Sequence, residues 1–158
     1  MRENVARRFT VLAAGGLMLA VACGASSQGS EQSATKPRDL PAAVLSAFHK
    51  AYPGATVSGA SQEREGDKVV FRVDSVDKGL QRIVLYDPSG STIEVAEQVQ
   101  EKDLPQPVAR AMHSHRRAVF ARGMRVSRGG GVLYVLTITG TRKTALVVKA
   151  DATVVSIK

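Results

Sequence analysis

Tryptophan is absent from this 158-residue chain, and it has only three tyrosines and four phenylalanines. That argues against a basic platform on which unpaired nucleic-acid bases could stack. There is a single cysteine, Cys23. No disulfide can therefore form within the chain, and its fold must stand on packing alone. The apolar run at the N-terminus, Phe9 to Ala22, falls short of the about 20 residues that a membrane-spanning helix needs. Acidic residues are also short, 14 Asp and Glu against 22 Lys and Arg, for a formal net charge of +8.

Signatures of chemistry are missing as well. No nucleophile elbow or comparable local pattern marks a catalytic serine, so the chain is read as a non-enzyme with no cofactor. His113-Ser114-His115 does not make a metal site, because residues two apart on a helix project to nearly opposite sides. His49 stands alone on its helix. Gly129, Gly130 and Gly131 read as a hairpin turn, since no helix follows them as a phosphate cradle requires.

What is present begins at the N-terminus. Arg2, Arg7 and Arg8 precede an apolar run from Phe9 to Ala22, and small residues stand beside Cys23. This is the layout of a secretory signal over residues 1–22. The run Leu19-Ala20-Val21-Ala22-Cys23 resembles the lipobox of bacterial lipoproteins, which nominates Cys23 for lipidation. Its leucine stands one place earlier than in most such boxes, so cleavage by an ordinary signal peptidase stays open. Diacylglycerol plus an amide-linked chain would give the two anchors that stable attachment needs. Residues 24–38 hold no bulky apolar side chain, so residues 23–38 read as a flexible tether. The expected location is a cell membrane or outer membrane, facing the periplasm or the exterior.

Beyond the tether the chain reads as a repeat. Asp39-Leu40-Pro41 with Val44, Ala47 and Phe48 is echoed by Asp103-Leu104-Pro105 with Val108, Ala111 and Met112. In the first copy, apolar residues at helical spacing from Val44 to Tyr52 end at Pro53-Gly54. A weak strand at 55–60, a polar turn at 62–67 and strands around Val69–Val73, Ile83–Leu85 and Thr92–Val99 follow. Asp87-Pro88-Ser89-Gly90 supplies a type I turn. In the second copy the helix is expected to run to about Phe120 and to end at Gly123. A short strand at 124–126 and strands at 132–139, 144–149 and 153–157 complete it. The last strands are apolar on both faces, which implies a central place in a sheet or a partner covering one side. The expected architecture is α+β: two tandem repeats, 39–102 and 103–158, each one helix followed by an antiparallel β-meander.

The run Tyr52-Pro53-Gly54-Ala55-Thr56-Val57, the alternating strand pair and the Asp87-Pro88-Ser89-Gly90 turn before Ile93 resemble PepSY-like domains of bacterial exported proteins. They also resemble the wider group called beta-lactamase-inhibitor-like. In the second copy Arg116-Arg117-Ala118-Val119 replaces Tyr-Pro-Gly-Ala, and Ala150-Asp151-Ala152 replaces the Asp-x-x-Gly turn. Such domains are similar in plan to beta-lactamase inhibitory protein. The resemblance implies a concave sheet that grips a partner, and it implies a fold more firmly than an activity.

Charge divides unevenly along the chain. Residues 39–102 carry 7 Lys or Arg and 10 Asp or Glu, a net of −3, while residues 103–158 carry 10 and 2, a net of +8. The leading expectation is an envelope binding lipoprotein whose sheet face engages, or inhibits, an exported or membrane protein such as a peptidase. Arg72, Arg82, Tyr86 and Tyr134 are its nominated anchors, since Tyr and Arg are favoured at interfaces. In the basic second copy, Arg110, Arg116, Arg117, Arg122, Arg125 and Arg128 read as facing an acidic partner, an anionic lipid surface or an anionic wall polymer, with Arg116, Arg117, Arg125 and Arg128 also nominated for partner binding; the alternative is an assembly lipoprotein that binds lipid or wall polymer through that copy.

Overall fold

The computed structural model describes residues 33–35, 39–115, 117–140 and 143–157. The expected leader at 1–22, the nominated Cys23 and Arg116 lie outside them. Helix α1 spans Ala42–Ala51 and helix α2 spans Gln106–His113. The strands are β1 (Ser33–Thr35), β2 (Thr56–Glu65), β3 (Lys68–Asp77), β4 (Leu80–Tyr86), β5 (Thr92–Val99), β6 (Val119–Arg128), β7 (Gly131–Thr139), β8 (Thr144–Lys149) and β9 (Val154–Ile157).

The helices form where the sequence places an apolar stripe behind a proline. Pro41 and Pro105 each stand just before a helix, and their carbonyls accept the first turn's N–H groups from Leu45 and Ala109. Val44 and Phe48 in α1, like Val108 and Met112 in α2, lie four residues apart and are fully buried. Tyr52 closes α1 by donating to the Phe48 carbonyl at 2.8 Å.

Two tandem helix-plus-meander repeats are not what forms. Among the described residues, nine strands make one continuous antiparallel sheet in chain order, β1 to β9, and two short α-helices pack on it. The deciding contact is the ladder between β5 and β6, in which Glu94–Val99 pair with Gly123–Arg128. Backbone groups that two separate sheets would leave as bare edges are satisfied there, which removes the reason for independent units. Cross-strand register runs unbroken from Val84 to Val95, Ser127 and Val132, so both helices lie on one side of the sheet.

Three boundaries also differ from expectation. Strand β2 runs on to Glu65, because Gln62 and Glu63 continue the ladder opposite Phe71 and Val70, leaving a turn only at Gly66-Asp67. Ser33–Thr35, inside the stretch expected to be tether, pairs with Ala60–Gln62 as an edge strand. Helix α2 stops at His113, where the Ser114 hydroxyl donates to the Ala111 carbonyl at 2.7 Å and Arg117 turns into the left-handed region at φ 57°. Phe120 and Gly123 therefore belong to β6. Gly123 suits that place because a Cβ there would lie 2.9 Å from Val99.

Two apolar cores result on the helix side. Val44 and Phe48 pack on Phe71, Val73, Val84 and Tyr86, while Val108 and Met112 pack on Tyr134, Leu136, Leu146 and Val148. Between them lies a polar seam. Arg82, Glu97 and Arg125 stand in one cross-strand row, with Arg82 to Glu97 at 2.9 Å and Arg125 to Glu97 at 3.4 Å. The Arg82 guanidinium also lies 4.2 Å from the centre of the Tyr52 ring.

Candidate protein-binding face

Strand alternation assigns every second side chain to the face away from the helices. Register then places Arg128, Glu94, Leu85, Arg72 and Ser61 in one row across β6, β5, β4, β3 and β2 on that open face. A second row carries Val126, Ala96, Ile83 and Asp74, and Met124, Val135 and Val147 continue the apolar part over β6, β7 and β8. Ile83, Met124, Val126, Val135 and Val147 are half-buried there. The floor is thus apolar, and neither helix core includes it.

The rim is charged. Arg72 holds the Asp74 carboxylate at 2.9 Å and stands 3.9 Å from Glu63. Arg128 reaches Glu65 at 2.6 Å and Glu94 at 3.4 Å. Its hydrogen bond holds the Glu65 carboxyl below the usual range, whereas burial pushes Glu94 above it despite Arg128. At the other end of the face Arg122 donates to Gln81 and contacts the Met124 sulfur.

Of the nominated residues, Arg72, Arg122 and Arg128 reach this face. Tyr86 and Tyr134 point the other way, into the cores beneath α1 and α2, with 1% and 6% exposure. Arg82 and Arg125 lie in the seam, and Arg117 is exposed in the loop before β6. The nominated anchors therefore do not share one surface: Phe71, not Arg72, pairs with Tyr86. The floor residues were not nominated. Their signal was the two-sided apolar character of the later strands, which the sheet leaves uncovered by either helix.

The charge asymmetry has an internal use. Arg122, Arg125 and Arg128 of β6 meet Gln81, Glu97, Glu94 and Glu65 of the earlier strands. Part of the positive excess is thereby spent on holding the sheet together.

Solved structures share this architecture. A DUF2874 family protein from Bacteroides uniformis superposes with a TM-score of 0.60 at 14% identity, over 75% of this chain and 88% of that one. A protein from Bacteroides eggerthii, described provisionally as periplasmic, gives 0.60 at 16%, over 75% and 87%. A BLIP-like protein from Bacteroides fragilis gives 0.56 at 20%, over 73% and 83%. At these identities the likeness is one of fold, and that fold is BLIP-like; PepSY-like membership is not shown. No family model matches the chain, and no curated protein matches it.

Proposed function

We propose that this chain is an exported, non-enzymatic binding protein, held to a membrane by lipid on Cys23, that engages a partner protein through the open face of its sheet. The observation that supports it is the composition of that face. An apolar floor of Ile83, Met124, Val126, Val135 and Val147 is flanked by the Arg72 and Arg128 ion pairs, which is the layered composition of a recognition surface. The leader and lipobox-like pattern supply the location. The BLIP-like fold makes an exported hydrolase, such as a peptidase, the first partner to assay. An anionic lipid or wall polymer has less support, because three of the second half's arginines are engaged within the chain.

The test places a photo-crosslinking side chain at Val147 on the open face and, separately, at exposed Ala43 on α1, in anchored protein in intact cells. One partner captured from Val147 and not from Ala43 is the expected result. Equal capture from both positions, or none from Val147, would overturn the reading.

A further inference from the structure

Arginines stand at 72, 82, 122, 125 and 128 on β3 to β6, and all but one hold a carboxylate. Arg72 pairs with Asp74, Arg82 and Arg125 with Glu97, and Arg128 with Glu65 and Glu94. Arg122 is the exception. Its guanidinium donates to the side-chain carbonyl of Gln81 on β4 and meets the Met124 sulfur at 3.9 Å, and it makes no ion pair among the described residues.

Those two contacts fix where the cation stands. Arg122 pairs with Thr137, two residues before Met124 pairs with Val135, so it shares their open face of the sheet. Gln81 stands two residues before Ile83 on β4 and lies on that face as well. The guanidinium therefore reaches past β5 to β4, at the end of the apolar floor and in contact with one of its members, Met124.

A guanidinium carries five N–H donors. An amide oxygen and a weakly accepting thioether sulfur leave most of them, and the whole charge, to water. A partner that covers the floor displaces that water, and a cation enclosed without a counter-charge opposes binding strongly. Neutral Gln81, where the other arginines meet carboxylates, thus has two effects: it keeps the guanidinium aimed across the face, and it leaves the counter-charge to be supplied from outside. The planar fork suits a carboxylate, which can accept two parallel N–H bonds from it. Arg72 and Arg128, already neutralised, cannot make the same selection.

We infer that Arg122 determines specificity on the open face: it receives a partner's carboxylate, so the face selects a protein segment in which Asp or Glu adjoins an apolar side chain. This rests on the reading that the open face binds a protein, and it adds which protein surfaces fit.

The probe is a phage-displayed library of short looped peptides, selected on the immobilised full-length chain with Cys23→Ser and counter-selected on the same chain with Val135→Asp. Surviving peptides should carry Asp or Glu beside an apolar residue. A synthetic copy with the acid replaced by its amide should bind about tenfold more weakly. Arg122→Gln should weaken the acidic peptide by the same factor and leave the amide copy unchanged, and Arg122→Lys should recover part of the loss. The amide copy and Arg122→Lys keep the test readable should Arg122→Gln fail to fold. An acid effect that persists in Arg122→Gln, or that is abolished instead by Lys149→Gln on β8, overturns the role of Arg122, as do surviving peptides without an acid; the face reading stands in each case. No surviving peptide at all overturns the face reading and this proposal with it. Phosphatidylglycerol vesicles are the second probe: retention of the chain on them that Arg122→Gln abolishes would assign the cation to a lipid phosphate and overturn the proposal too.

Discussion

Arg128 and Glu65 meet at 2.6 Å although they sit on β6 and β2, with three strands between them. Four strand spacings in a flat sheet would separate those strands by about 19 Å. The sheet must therefore curl toward the open face, which makes that face concave. Removing the cation should be visible first at its partner: in Arg128→Met the Glu65 carboxyl should titrate at higher pH than in the parent, since the hydrogen bond from Arg128 is the main cause of its lowering. Carboxyl carbon shifts followed by NMR check this, and an unmoved Glu65 titration would contradict the bridge.

A core substitution beneath either helix should lower the stability of the whole sheet. Phe48→Ala and Leu136→Ala each remove a fully buried side chain, from different cores, and should cost about 3–5 kcal/mol and 2–5 kcal/mol respectively. Because the β5–β6 ladder joins the two halves, each variant should move one common urea transition. Two separated transitions would show that the halves unfold independently.

Gly90 closes the Asp87 turn with φ 85°, and a Cβ there would lie 2.6 Å from the Ala43 carbonyl oxygen at the start of α1. Gly90→Ala combines a left-handed backbone with that collision, so a loss of roughly 2 kcal/mol or more is expected in chemical denaturation. A neutral result would mean that α1 and the turn do not approach as closely as this.

Tyr86 is the group to follow at alkaline pH. Burial pushes its hydroxyl up to about 12; the effects of Thr92 and Arg82 oppose that only in part. The buried hydroxyl has no hydrogen-bond partner among the described residues. A group kept neutral by folding contributes stability that is complete below its ordinary value near 10 and is lost as pH rises toward the folded value. The chain should thus lose stability between pH 10 and about 12, and Tyr86→Phe should flatten that loss without lowering stability at neutral pH. Ultraviolet phenolate absorbance alongside denaturation curves measures both effects.

On the open face the expectation reverses. Val135→Asp sits in the floor, outside both cores, and should leave most of the stability in place while abolishing capture of the partner. Tyr134→Ala, one residue away and buried beneath α2, should do the opposite: destabilise the fold and affect capture only through unfolding. Lipidation has a separate test, since Cys23→Ala should abolish fatty-acid labelling.

Much of the local structure was legible in the sequence for physical reasons. Val44 and Phe48 behind Pro41 marked α1, Thr92–Val99 formed the expected strand, and Asp87 closes its turn through the Gly90 N–H. What period-two alternation cannot supply is which face of one strand matches which face of the next. That depends on register, and one residue of offset sets Tyr86 beside Phe71, not Arg72. Tyr86 and Tyr134 consequently looked like exposed anchors although Val84 and Leu136, two residues away on the same faces, are core. The end of α2 was missed because no Pro-Gly pair follows His113; the stop comes from the Ser114 side chain and the left-handed Arg117, neither of which has a strong signal in sequence. Union of the halves rests on the β5–β6 pairing, a contact between segments separated by α2 that no local pattern announces.

The strand order from β1 to β9 follows the chain without a single crossover, and this bears on how the molecule is made. Each strand finds its partner in the strand just before or after it, so the search for native pairings is short, and only the steps from β1 to β2 and from β5 to β6 must wait for an intervening helix. With no crosslink to form and no distant segment to await, the chain can zip from its first hairpin onward as it emerges, each new strand adding to an edge already in place.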